Sequence, residues 1–179
     1  MKRRIGNRIA LVAFTIIPVA TALAQDKSLS LEDIDQVLNN STQIDAQCTR
    51  SLITVRSSRL PLRCTERLVH TIWPNGRASI MFIAVDENEK KLMISFNANS
   101  DNQLTLREYT MKLHDVRFGP LSEQREWKEI RISGKCSIKL ANDKGTEVDS
   151  VTCLGRARAN KMVFDFATGS GRVIKLGSR

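Results

Sequence analysis

Apolar residues along this chain recur mostly at every second position, the period of a strand with one buried face. In KKLMISFNAN, Leu92, Ile94 and Phe96 share one phase, and KMVFDFATG repeats the pattern with Met162, Phe164 and Phe166. RLVHTIW runs into PNGR, where Asn75-Gly76 predicts a hairpin. ASIMFIAV is an almost unbroken apolar run around Met81, Phe82 and Ile83, as expected of a strand buried on both faces. DENE and NSDNQ are expected to turn the chain on either side of KKLMISFNAN. In LTLREYTMKLHDVRF the phase changes between Leu104, Leu106 and Tyr109, Met111, Leu113, which predicts a bulge or bend near Arg107-Glu108. GPLSEQREWKEIRI reads as a helical turn and then a strand, Gly169-Ser170-Gly171 as a turn, and RVIKL as a last edge strand. One segment departs from the two-residue period. SLEDIDQVLNN has Ser30 placed as an N-cap, Asp33 three residues on, and Leu31, Ile34 and Leu38 at helical spacing.

These elements predict a mainly β fold: a single antiparallel β-sandwich or small β-barrel with a short N-terminal helix. No internal repeat, low-complexity segment or dividing linker interrupts it. The expected organisation is a leader over residues 1–24, a helical arm over 25–47 and a β-rich domain over 48–179.

The leader is read from its own pattern. MKRRIGNR carries Lys2, Arg3, Arg4 and Arg8 and no acid. An apolar run of 14 residues follows, then Ala22-Leu23-Ala24. A basic head, a short apolar stretch and small residues before a cut site predict a secretory signal peptide cleaved near Ala24. The run is short of the roughly 20 residues a membrane helix needs. Gln25 offers no cysteine for a lipid anchor, so the mature chain is expected to be periplasmic or secreted, with no transmembrane segment.

Export changes the meaning of the four cysteines, Cys48, Cys64, Cys136 and Cys153. In an oxidising compartment an even set reads as disulfides. Neighbours are 16, 72 and 17 residues apart, which suits neither a zinc knuckle nor a Cys-x-x-Cys redox site. Three connectivities are possible; Cys48–Cys64 and Cys136–Cys153 are favoured on geometry. CSIKLANDKGTEVDSVTC makes a hairpin if Lys144-Gly145 is its two-residue loop. Leu140 then faces Asp149, Ile138 faces Val151, and Cys136 faces Cys153 at a closely spaced, non-hydrogen-bonded pair. Each short loop so closed is worth about 3 kcal/mol on the chain-entropy model.

Charge adds less. The whole chain has 28 basic and 19 acidic residues, and without the four basic residues of the leader the balance is 24 to 19, or +5. This mild excess fits a protein near anionic envelope lipid or glycan. Nucleic acid is not an expected partner of an exported chain with one Tyr and two Trp and no recognition motif. The basic residues concentrate in CTRSLITVRSSRLPLRCTERL, with Arg50, Arg56, Arg59, Arg63 and Arg67 against Glu66. Arg56, Arg59 and Arg63 are the candidates for anion binding, because a guanidinium fork matches phosphate and carboxylate. The competing and preferred reading is a solvated face.

The order CTERLVHTIWPNGRASIMFIAV, LMISFNAN, then SGKCSIKL and VDSVTCLGRARANKMVFDFATG resembles a group of small exported bacterial β-rich proteins. The likeness covers residues 64–169 and is carried by Cys64, Trp73, Gly76, Arg77, Phe82, Ser95, Phe96, Cys136, Cys153, Phe164 and Phe166. It implies a fold and no activity, so no functional residue is carried over.

Catalytic candidates are few. His70 and His114 are the two histidines. Two ligands do not make a metal site, and no cofactor is expected. His114 and Asp115 are two members of a triad by type, but adjacent strand residues point to opposite faces and are not expected to bond. No serine lies in Gly-x-Ser-x-Gly, and Gly134-Lys135 lacks the upstream glycine of a phosphate loop. Asp86, Glu87 and Glu89 read as solvated turn charges. The function expected is a non-enzymatic binding or structural module of the envelope. The alternatives are a small hydrolase whose site is assembled only by folding, and a lipid or small-molecule carrier, which an open barrel with an apolar cavity would favour.

Overall fold

The alternating segments become nine antiparallel strands in a computed structural model that describes residues 40–176. They are β1 (Ser41–Val55), β2 (Ser58–Pro61), β3 (Arg63–Ile72), β4 (Ala78–Val85), β5 (Lys91–Thr105), β6 (Glu108–Pro120), β7 (Lys128–Leu140), β8 (Glu147–Ala157) and β9 (Met162–Lys175). Each strand after β2 pairs with the next in sequence. β1 pairs with β3 through residues 41–45 and with β9 from Thr42↔Lys175 to Val55↔Met162. That double pairing closes eight strands into a barrel. β2 is outside the ring and pairs with the last residues of β1. Of the two architectures expected, the barrel is the one found.

The strand period explains the core. One face of each strand turns inward, bringing together Leu68, Ile80, Phe82, Ile94, Phe96, Val116, Val151, Phe164 and Phe166, all buried. Phe82, Phe96 and Phe166 meet at ring separations of 5.2–5.9 Å. Phe164 joins them edge-on to Phe96 at 6.4 Å. An eight-stranded barrel is just wide enough for side chains to fill it, and these rings fill its middle. Each buried Phe contributes roughly 1.5–3 kcal/mol from burial alone.

Several sequence expectations change. The arm expected over 25–47 overlaps β1, since residues 41–47 are strand. The helix expected from Ser30 and the leader lie outside the described residues, except Asn40, which is in a turn. NSDNQ does not turn the chain; β5 continues through it. The turn is at Leu106-Arg107, so of the bulge or bend expected near there the bend is found, as a hairpin end, with a register shift just before it between Gln103 and Thr105. RVIKL is not an edge strand, and Gly169-Ser170-Gly171 is not a turn; both belong to β9, which seals the barrel. Gly171 lies so close to β1 that a Cβ would come within 2.2 Å of the Asp45 carbonyl oxygen. In β4, Ala78, Ile80, Phe82 and Ala84 are buried, whereas Ser79, Met81, Ile83 and Val85 are half-buried on the outer wall. Among the described residues no second layer covers that face.

The stapled hairpin forms with Cys136↔Cys153 and Ile138↔Val151 as expected. Its turn is wider, and Leu140 faces Val148 rather than Asp149. A regular ladder would aim Asp149 at the core and Val148 at water. Leaving Asp149 unpaired in a bulge exchanges them, and Val148 is 1% exposed. A similar shift at His114 restores the inward phase between Leu113 and Val116.

Candidate ligand-binding mouth

The four connections β1–β2–β3, β4–β5, β6–β7 and β8–β9 gather at one end of the barrel. There the inward-facing residues are mostly aliphatic: Ile53, Val55, Leu62, Leu92, Ile130 and Met162, with Phe118. They line a cavity of about 710 Å³, within the range of small-molecule sites. Phe118 packs on Phe164 at 5.6 Å, so the aromatic core forms the floor. Arg59, Leu60 and Pro61 of β2 form one wall. The β6–β7 connection forms another. Trp127 holds it by donating its Nε1 hydrogen to the Pro120 carbonyl at 2.8 Å and lying on Gly119, where any Cβ would come within 2.6 Å of the ring.

β2 is a flap by construction. β1 runs beside β3 only as far as Asp45↔Arg67, then leaves it to pair with β2. All four residues of β2 are exposed, including Leu60 at 50%. The corner is pinned by the Cys48–Cys64 disulfide, with a Cα separation of 5.9 Å. The Ser51 hydroxyl donates to the Leu62 carbonyl beside it, and the Leu62 N–H to the Ser51 carbonyl. The second disulfide, Cys136–Cys153, is buried in the core with a Cα separation of 4.0 Å, the close spacing of a non-hydrogen-bonded pair. Both favoured pairings are therefore formed, and two disulfides fit an oxidising compartment.

The arginine stretch divides into two groups. Arg50 pairs with Asp165 at 2.8 Å, Arg63 with Glu89 at 2.5 Å and Arg67 with Asp45 at 3.2 Å. Arg63 is thus committed to the β4–β5 turn. Arg56 and Arg59, at the flap, make no ion pair among the described residues. Arg56 instead meets Lys161: its N–H donates to the Lys161 carbonyl at 2.9 Å. Lys161 was not legible as a partner in sequence, because 105 positions separate the two. Asp86, Glu87 and Glu126 stand on the rim, and Asp86 Oδ1 accepts from the N–H groups of Asn88 and Lys90 at 2.9 Å each.

His114 and Asp115 do contact each other, through Nδ1 and Oδ2, contrary to the opposite-face expectation. The bulge at His114 breaks the alternation that would have separated them. Asp115 is buried and also accepts from Asn97 Nδ2 at 2.5 Å; Asn97 Oδ1 in turn accepts from the Ser95 hydroxyl at 3.0 Å. His114 Nε2 is shut off from solvent and has no hydrogen-bond partner among the described residues. His70 is on β3, separated from His114 on β6 by β4 and β5. Among the described residues no three His, Cys, Asp or Glu gather in a way that could hold a metal ion. At the far end, Arg107 donates to Asp143 at 2.6 Å, and that hydrogen bond with its charge lowers the Asp143 carboxyl below the ordinary carboxylate range. Among the described residues no helix is long and apolar enough to cross a membrane.

No protein family, curated protein or solved structure matches the chain.

Proposed function

We propose that this protein is an exported, non-enzymatic binding module whose barrel mouth takes up a small, largely apolar molecule. The observation that carries the reading is the cavity of about 710 Å³ above an aromatic floor, walled by aliphatic side chains and a four-residue flap. Concave, mostly apolar sites with a few polar groups at the rim are where small molecules bind, and barrel mouths are a common place for them. The basic head of the sequence and the two disulfides support an envelope or extracellular setting. The hydrolase alternative has one observation in its favour, the His114–Asp115 contact, but neither residue lines the mouth.

The test is a titration with Nile red, an uncharged dye whose emission rises in apolar surroundings. Wild type is expected to bind it saturably. Ile130→Trp, which fills the mouth from a half-buried position, is expected to abolish binding while retaining the melting transition. Equal binding by both proteins, or none by wild type, sinks the reading.

A further inference from the structure

The mouth is not electrically even. Going round the barrel, the β1–β2 and β8–β9 turns are neighbours, because β1 and β9 are paired. The β4–β5 and β6–β7 connections lie across from them. The first side carries Arg56, Arg59 and Lys161; the second carries Asp86, Glu87, Glu126 and Lys128. A second recess, of about 950 Å³, extends the mouth over the basic side and shares Val55, Leu60 and Asn160 with it. Apolar wall therefore passes continuously into a cationic shelf.

The backbone of that shelf is unusual. Arg56 has φ +57° and Lys161 φ +49°, both left-handed. For a residue with a Cβ this region is disfavoured, and glycine or asparagine is the ordinary occupant. Two facing turns, joined by the Arg56–Lys161 hydrogen bond, thus keep long cationic side chains where local stability favours glycine. The paired arginines of the same stretch, Arg50, Arg63 and Arg67, lack this feature, and the third left-handed residue with a side chain, Glu89 at φ +60° on the β4–β5 turn, is held by Arg63. Strain kept at adjacent positions beside a cavity is a mark of function.

We infer that the ligand is a single-chain amphiphile with an anionic head, its chain in the mouth and its carboxylate or phosphate on Arg56 and Lys161, with Arg59 beside them. This rests on the reading of the mouth as a ligand site. Charge-assisted hydrogen bonds from Arg and Lys supply the head-group selectivity, and the aliphatic wall accepts chains without regard to head.

Calorimetric titrations of the full chain with dodecanoate, dodecyl phosphate, dodecyl maltoside and dodecyltrimethylammonium test it, each below its micelle concentration. Wild type is expected to bind at least one anionic amphiphile about tenfold tighter than the maltoside, with the preference shrinking as salt is added. Which of the two anions gains more distinguishes a carboxylate from a phosphate source. The double variant Arg56→Gly/Lys161→Gly is the decisive one. It is expected to melt higher than wild type, since glycine relieves both turns, and to bind all four amphiphiles alike. Equal affinities in wild type overturn the inference and leave the mouth reading standing. Absence of binding to any of them overturns both. A double variant that keeps the anionic preference assigns the head elsewhere and also overturns it.

Discussion

The middle of the barrel and its mouth are made by the same strands with the same alternation, yet one is filled and the other hollow. β9 shows the transition within five residues: Met162 faces the mouth, and Phe164 and Phe166 fill the middle. β5 does the same with Leu92 at the mouth and Ile94 and Phe96 below. In the middle layer rings from β4, β5 and β9 converge. In the mouth layer Phe118 is the one ring among aliphatic side chains, and a short flap replaces part of the wall. Whether a barrel layer is packed or open is thus decided by side-chain volume at one height, not by hydrophobicity.

The largest effect that would break this comparison is in the filled layer. Phe96→Ala is expected to cost about 3–5 kcal/mol in urea unfolding; a cost near that of a surface change would mean the middle is not packed. Next are the staples. Removing Cys136 and Cys153 together as alanines is expected to cost on the order of 3 kcal/mol for the lost loop constraint, plus the cavity left in the core. Cys48→Ser/Cys64→Ser should cost less, because that pair is only half-buried, but should loosen the flap and weaken Nile red binding. Reversal of the two melting shifts would contradict their assigned places. Phe118→Ala, at the boundary, is expected to cost less than Phe96→Ala, about 1–3 kcal/mol from burial, while reducing dye binding. The smallest effect is electrostatic and lies away from the mouth. Arg107→Gln is expected to return the Asp143 carboxyl toward its ordinary value in an NMR titration. A carboxyl lowered by folding contributes stability that is present above its unfolded pKa and lost as pH falls through the folded one. With both groups exposed the change in melting should be slight.

Much of the wall was legible in sequence because a half-buried strand writes its period into the chain. Leu92, Ile94, Phe96 and Met162, Phe164, Phe166 show it directly. The bulges show in the structure as a spacing: Val148 and Val151, and Leu113 and Val116, are buried three residues apart, which no regular strand can bury on one face. Leu104 and Leu106 misled because hydrophobic residues at a hairpin tip can stay exposed, at 59% and 73%. The closure of β1 on β9 left no local trace, since a pairing across the whole chain adds nothing to either strand's own pattern. The mouth was hidden for the same reason. Arg56 and Lys161 become neighbours, and seven side chains become a cup, only when the ring shuts.

That shutting has a kinetic consequence. β1 takes β9 along nearly its full length, so the contacts that complete the ring join opposite ends of the described chain. Contacts of such long range are the slowest to form, because the loop entropy is lost before they return anything. Until the 14 residues of β9 dock, β1 and β8 both present unpaired edges, which invite association with other chains. The β7–β8 hairpin, closed by Cys136–Cys153, can form early and locally, but it cannot shield either edge. A nascent chain ending before Met162 would therefore hold most of its hairpins and still have no inside.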